Sequence, residues 1–492
     1  MNKLAFKCDG KPRGWLRKLL FHRNRQPRKV FQRVVYKKNG KIRPEFQHWM
    51  LMSATHTPNR EQSQSATVDV RVLATLNVLQ SLKPLDQAAK SWTRRDSLKK
   101  LANKEELVEL LSPANNTDLV LSFSHDNYRE HTGGVQLCIL REEKVLTSQS
   151  YSYLNIHPWQ PLMHLAARGV DPVVSLVLNG VQIADCKCTE LAAAVSTLAQ
   201  QKLKMHAIVH HLMGHSPESV ASIIRASKVT DCLFWLHDFF SLCPSFNLQR
   251  NGVAQCSAPA RTSNACAICV FGNERQDHLP RMEEFFHDVP VRVLSPSKVT
   301  LDFWKRRVPY GVCDSHIVPH LELDVTTDIK PVATVVPDRP VKMAFMGTPV
   351  WHKGWHVFDS LAHNSVLQSR FEFVAFAASK LNSTVRRIAV RTGAGKLDAM
   401  TSALLAENVD LALIWPSWPE TFSFTTFEAF AAGAYVITNA DSGNVAVAVA
   451  ESGRGVVLKN DTELLEFLID GRAEKLASQS RAARNTQKIA AR

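Results

Sequence analysis

No uninterrupted apolar run in these 492 residues approaches the roughly 20 needed to span a bilayer, so no transmembrane helix is expected. The first residues also lack the apolar core of a secretion signal, because charges interrupt Gly14-Trp-Leu-Arg-Lys-Leu-Leu-Phe21. Ten cysteines scattered unevenly without an export signal should be reduced rather than form a disulfide framework. Acids are nearly missing from residues 1–50, where only Asp9 and Glu45 face fifteen Lys and Arg, a net +13 against +15 for the whole chain. The remainder is close to neutral, so the high overall charge does not assign an acidic partner to the body. The basic arm lacks the regular interleaving of aromatics that base-stacking platforms use, which argues against nucleic acid. His210-His211-Leu-Met-Gly214-His215 lacks partner acids at helical spacing, so it is not a His-Glu-x-x-His metal helix. Gly393-Ala-Gly-Lys396 lacks both the leading glycine and the following Ser or Thr of a phosphate loop, which excludes an ATPase reading.

What is present falls into segments, and the length predicts two or three domains. Residues 1–70 read as a basic extension and linker. Within it Trp15, Leu16, Leu19 and Leu20 share a helical face ringed by Arg17, Lys18 and Arg23, the composition of a short helix lying on an anionic membrane surface. A solvated, disordered tail is the alternative. Residues 71–117 form a helical segment of unknown role, with helices expected over 68–82 and 96–111. From Asp118 the pattern changes to strands beginning at Leu119, Val173, Met205, Cys232, Val291 and His316, separated mainly by helical stretches. That alternation predicts a parallel sheet wrapped by helices over 118–330. Three prolines in 328–340 mark a linker. A second α/β unit follows over 341–470, with strands starting at Lys342, Phe371, Val385 and Val409, and a basic, Ala-rich helix over 471–492.

The most informative stretch is Trp415-Pro-Ser-Trp-Pro-Glu420-Thr-Phe-Ser-Phe-Thr-Thr-Phe-Glu428-Ala-Phe-Ala-Ala-Gly433. Pro416 and Pro419 stop the preceding strand, Ser423 or Thr425 can cap a helix, and Gly433 ends it. Glu420 is thereby placed in a strand-to-helix loop, with Glu428 about two turns further on, both able to serve one crevice beyond the carboxyl end of a parallel strand. Backbone N–H groups around Phe422 to Phe424 suit a phosphate, whereas two carboxylates suit hydroxyls. A ligand carrying both, such as a sugar nucleotide, fits this mixture; a solvated helix face beside a loop acid is the plainer reading. Between the strand end at His237-Asp238 and the helix after residue 272 lies an irregular insertion, 239–272, holding Cys243, Cys256, Cys266 and Cys269. Four thiols there suit a structural zinc site, with reduced buried cysteines or disulfides as alternatives. Four thiolates would leave no open catalytic position.

Glu420-x7-Glu428, with its Pro-Glu-x-Phe-Ser lead-in and Ala-Ala-Gly exit, resembles the signature of the retaining GT-B-fold glycosyltransferases of the Glu-x7-Glu group, the group 1 enzymes with a glycogen-synthase-like C-terminal domain. The resemblance implies an α/β protein of two Rossmann-like domains facing a cleft, here with a basic N-terminal extension. It implies that Glu420 contacts the donor sugar and faces the reacting centre, that Glu428 holds the ribose, and that Gly133 and Gly134 close over the phosphates. Gly347 and Lys353 match the loop that neutralises the donor diphosphate. Thr348 stands where that loop carries arginine, so half of the cationic clamp is missing, and His352 could substitute if protonated. Thr421, Phe422, Ser423, Phe424 and Gly443 complete the expected donor contacts, and one of His210 and His211, with His211 favoured, faces sugar or acceptor. The family needs no catalytic metal. The partners implied are a nucleotide sugar and a saccharide or lipid-linked acceptor, in cell-surface polysaccharide or glycolipid synthesis; the basic arm, with its anionic-membrane composition, adds the expectation of a cytoplasmic protein peripheral to the inner face of the plasma membrane. The departure at Thr348 leaves a non-catalytic nucleotide-sugar or glycan-binding relative as the alternative.

Overall fold

The computed structural model describes Leu19 and residues 100–112, 118–131, 133–308, 310–311, 314–326, 339–381, 383–391, 398–486 and 488–491. The rest of the basic arm, the helix expected over 68–82, most of the 328–340 linker and residues 393–396 lie outside the described residues. The helix expected over 96–111 is shorter: α1 spans Lys104–Leu111, because Asn103 accepts from the Glu106 N–H and the Glu106 side chain answers to the Asn103 N–H, a capping box that fixes the start.

The first domain runs β1 (Leu119–Phe123), α2 (Gly134–Ser148), β2 (Ser152–Pro158), β3 (Val173–Leu178), β4 (Val181–Lys187), α3 (Cys188–Gln200), β5 (Met205–Val209), α4 (Pro217–Ala226) and β6 (Cys232–Trp235). It continues through β7 (Gln249–Arg250), β8 (Ala254–Gln255), α5 (Asn264–Ala267), α6 (Gly272–Asp288), β9 (Val291–Ser295), α7 (Lys298–Lys305) and β10 (Asp314–Ile317). Its eight-stranded sheet has the order β10-β9-β6-β5-β1-β2-β3-β4. Every residue of β1 is buried, as a central strand covered by helices on both faces requires. Strands β10 to β2 are mutually parallel, but β2, β3 and β4 pair antiparallel. The stretch from Val173 is therefore not a further parallel strand between helices. It is the middle of an edge meander, turned by Asn179 and Gly180, both at positive φ.

The second domain comprises β12 (Val341–Met346), α8 (Trp355–Ala362), α9 (Ser365–Gln368), β13 (Phe371–Phe376), β14 (Arg386–Ile388), α10 (Ala399–Ala406), β15 (Leu411–Leu413), α11 (Phe424–Ala431), β16 (Tyr435–Asn439), α12 (Asn444–Ser452), β17 (Gly455–Leu458), α13 (Asp461–Ile469) and α14 (Arg472–Thr486). Its six-stranded sheet, β14-β13-β12-β15-β16-β17, is parallel throughout. Phe358 belongs to one of the two apolar clusters packed on this sheet and Phe430 to the other, both fully buried, each contributing about 1.5–3 kcal/mol through burial. Asp410, wholly buried, is gripped by Arg339 at 2.8 and 2.9 Å and by Arg481 at 2.8 and 3.0 Å, which ties α14 to the start of β15. The tail is not helical to its end. Strand β18 (Lys488–Ala491) pairs antiparallel with β11 (Leu323–Thr326), the segment that leaves the first domain. Each main sheet changes direction of winding beside its first strand: β1 lies between β2 and β5, and β12 between β13 and β15. Such switch points open a crevice at the carboxyl ends of the strands.

Candidate functional site

The second crevice is lined by two loops, one after β12 and one after β15. Gly354, at φ 79°, lets these backbones meet, since a Cβ there would lie 2.1 Å from the Trp415 carbonyl oxygen. The His352 carbonyl accepts from the Ser417 N–H at 3.0 Å. This crossing brings together the cation and the acid singled out in the sequence: Lys353 Nζ lies 2.6 Å from Glu420 Oε1, and Trp418 Nε1 donates to the same oxygen at 3.0 Å. Glu420 is 4% exposed, yet its Oε2 has no partner among the described residues. Gly443 completes the loop's seat. It forms a parallel bridge with Glu420 at φ 66°, and a Cβ there would stand 2.6 Å from the Glu420 carbonyl.

Ser423 occupies the cap position of α11, but its hydroxyl does not cap; it pairs with the Thr425 hydroxyl at 3.0 Å. The backbone N–H groups of Thr421, Phe422 and Ser423 have no acceptor among the described residues, and the first turn of any α-helix leaves further N–H groups free. The result is a positive helix end beside Lys353. Thr421 itself is buried and spent on the first domain. Its carbonyl accepts from Ser297 Oγ at 2.9 Å and its hydroxyl donates to the His237 carbonyl at 2.5 Å, so its expected donor contact is limited to its N–H. One turn past the cap, Phe427 and Phe430 are buried while Glu428 turns away from that core. No described residue hydrogen-bonds its carboxyl, and burial pushes it up to about 7 against a smaller opposing pull from Arg141.

Arg141 was not signalled by any motif, although it lies two helical turns after Gly134 and so on the same face of α2. Its guanidinium sits 5.3 Å from the Phe424 ring centroid and donates to the His320 carbonyl at 3.4 Å. The glycine pair reaches the same place: a Cβ on Gly134 would touch the Phe424 ring, while Gly133 is in extended backbone that any residue adopts. Gly347 is at φ 96° with the Thr425 methyl as its neighbour, and Thr348 beside it brings no charge. His352 does not supply one either, because burial, followed by repulsion from Lys353, lowers it to about 3 and keeps the ring neutral.

The histidines are arranged differently from the sequence expectation. His211 is buried with both nitrogens occupied: Nδ1 accepts from the Met213 N–H at 3.0 Å, and Nε2 donates to Asp238 at 2.9 Å. The acid of His237-Asp238 thus pairs with His211 across the strand ends. His210 is also internal. A carboxylate only accepts, so His210 donates through Nε2 to Glu142 at 3.0 Å, and its bare Nδ1 accepts from His237 Nε2 at 3.0 Å. The imidazole nearest the Phe422–Phe424 turn is His320, 5.2 Å from the Phe422 ring and stacked on Phe424 and His237. Among the described residues, Cys138, His237 and His320 alone place three metal-capable atoms within 4.8 Å of one another, a closeness that this ring stack accounts for. Cys243, Cys256, Cys266 and Cys269 lie apart from the crevice and line one small cavity within the insertion.

No protein-family model matches the chain, and no curated protein matches it. Among solved structures it is similar to a sucrose-phosphate synthase from Thermosynechococcus elongatus, at 12% identity over 75% of this chain and 93% of that one, with a TM-score of 0.46. It is also similar to a glycosyltransferase from Rickettsia africae ESF-5 (13% identity, 75% and 93% coverage, TM-score 0.44) and to WaaG, a glycosyltransferase involved in lipopolysaccharide biosynthesis (12%, 75% and 94%, 0.43). These structural neighbours are GT-B glycosyltransferases. Likeness at this level leaves the reaction to be argued from the site.

Proposed function

We propose that the protein is a retaining glycosyltransferase that moves a sugar from a nucleotide-sugar donor to a saccharide or glycolipid acceptor. The observation that carries this reading is the convergence at one switch point of Lys353, the free N–H groups at the start of α11, the open oxygen of Glu420 and the unpartnered carboxyl of Glu428. Cation and amides match a diphosphate; the two acids match hydroxyls of sugar and ribose. In the reaction the bond from the anomeric carbon to the diphosphate breaks, and the departing phosphate oxygen takes the proton of the acceptor hydroxyl as it attacks from the same face. Lys353 and the helix amides meet the charge that develops on the leaving group, a preorganised form of stabilisation. Arg141, reaching in from the first domain, supplies the second cation that Thr348 does not. Glu420 orients the sugar, and no catalytic metal is called for. His211, with both nitrogens engaged, holds the Asp238 loop behind the site.

The basic arm suggests where this occurs. Among the described residues no helix is long and apolar enough to cross a membrane, and a charged amphipathic segment would hold the body on an anionic inner leaflet, where a lipid-linked acceptor is at hand. The test is a screen of uridine, guanosine and other nucleotide sugars for binding and for slow hydrolysis, with the anomer of the released sugar read by NMR. Retained configuration supports the reading. Binding without any turnover identifies the non-catalytic alternative that Thr348 suggests, and no binding of any nucleotide sugar refutes both.

A further inference from the structure

The insertion is poorly supplied with regular structure, holding only the two-residue strands β7 and β8 and the four-residue α5 before α6 begins. Four of its non-glycine residues, Leu248, Asn251, Ser257 and Ala258, sit at φ between 47° and 56°, a strained region for L residues that persists only where the surroundings impose it. Nevertheless this segment makes two of the bonds that join the domains beside the crevice. Gln249 Nε2 donates to Ser417 Oγ at 2.5 Å and to its carbonyl at 3.3 Å, and Trp351 Nε1 donates to the Val253 carbonyl at 3.1 Å. Ser417 stands just before Glu420, and Trp351 just before Lys353.

Inside the insertion the four cysteines converge on one cavity, and no acid lines it. Arg275, 4% exposed, points into the same space, with Nε on the Leu242 carbonyl at 2.9 Å and Nη1 on the Pro259 carbonyl at 2.7 Å and on Cys266 Sγ at 3.1 Å. Arg250 also lines it. A buried guanidinium with only carbonyl and sulfur partners lacks the counter-charge that burial of a cation demands. We propose that Cys243, Cys256, Cys266 and Cys269 bind one zinc ion as four thiolates, and that this ion fixes the insertion against the second domain beside Lys353 and Glu420. Binding converts four thiols and Zn²⁺ into a tetrathiolate of charge −2 and releases four protons; no oxidation is involved. Arg250 and Arg275 then balance that charge. A sulfur-only ligand set selects zinc over harder cations and fills its tetrahedral shell, so the site is structural. No three of the four sulfurs lie within 4.8 Å of one another, so they draw inward by side-chain rotation when the ion enters.

The experiment uses the full chain, purified with reductant and without chelator. Metal analysis is expected to find about one zinc per chain, and X-ray absorption a first shell of sulfur alone. Cys269→Ser should lower zinc content several-fold, whereas Cys186→Ser, in β4, should leave it unchanged. Trypsin should cut after the exposed Arg261 about ten times faster once zinc is removed, because metal binding and order of the segment are coupled. None of these readings depends on a sugar nucleotide, so failure of the transfer reaction leaves them standing. Zinc below about a tenth per chain, a first shell containing nitrogen or oxygen, or a mass showing these cysteines paired as disulfides would overturn the proposal. Should Cys269→Ser not fold, zinc content and absorption of the unsubstituted protein decide alone.

Discussion

Replacing Glu428 by Gln should make the protein more stable at pH 8 and a weaker binder of its donor. Burial raises the Glu428 carboxyl from its ordinary 4.5 to about 7. Between those two values the unfolded chain gives up this proton while the folded chain keeps it, so stability falls as pH rises through the window, and above it the whole cost is present. The difference corresponds to at most about 3 kcal/mol, taking about 1.36 kcal/mol for each tenfold change in proton affinity. Gln cannot ionise and escapes that cost. Chemical denaturation should therefore show Glu428→Gln more stable by up to about 3 kcal/mol at pH 8, with the gain fading to nothing by about pH 4. Donor binding should move the other way. A charge-assisted hydrogen bond to ribose is worth about 1.5–3 kcal/mol, so Kd should rise by roughly one to two decades. A variant that is less stable at pH 8, or equally stabilised at pH 4 and pH 8, would refute the ionisation argument. Unchanged affinity for every donor that the original protein binds would remove Glu428 from the ribose.

Three further outcomes follow from the same geometry. Asp410→Asn leaves Arg339 and Arg481 facing a neutral group and should cost about 3–5 kcal/mol in urea denaturation. Burial pushes the Asp410 carboxyl up, but the Arg481 hydrogen bonds and charge hold it below the usual 3.8, so its contribution is present above that pH and is lost as pH falls through the lower folded value. Gly443→Ala must displace the Glu420 backbone, which lies 2.6 Å from the new methyl; transfer should drop by about tenfold or more, and thermal unfolding should come several degrees earlier because the positive φ and the backbone clash both add strain. Sedimentation with anionic vesicles should pull down the full chain at low salt but not a chain starting at Ala66; recovery of both in the supernatant would dismiss the membrane arm.

The alternation of strands and helices was legible because parallel strands buried on both faces are continuous apolar runs, and β1, β5, β6, β9 and β12 were each visible in that way. The edge meander was not, since β4 is half exposed and mixed in composition; Asn179-Gly180 carried its only strong local signal. Glu420 and Lys353 were each readable within their own loops, but their pairing and the arrival of Arg141 were not. Arg141 reaches the Phe424 ring from the other domain, and such a contact leaves no spacing in the sequence. The histidines show a further limit. Their positions at strand ends were readable, but which ring faces the crevice depends on which nitrogens the neighbours take, as with His211 between Met213 and Asp238.

The pairing of β18 with β11 has a consequence for how the chain is made. Strand β11 emerges before any of the second domain, yet the strand it needs comes last, after α14. During synthesis the first domain can therefore complete its sheet, and the second can meet it through Trp351, Ser417 and Thr421, before the strand that pairs with β11 is made. Strand β18 thus adds a backbone strap to a junction otherwise held by side chains such as Gln249 on Ser417 and Ser297 on Thr421, and a chain broken off within α14 could carry every residue of the crevice and still lack that strap.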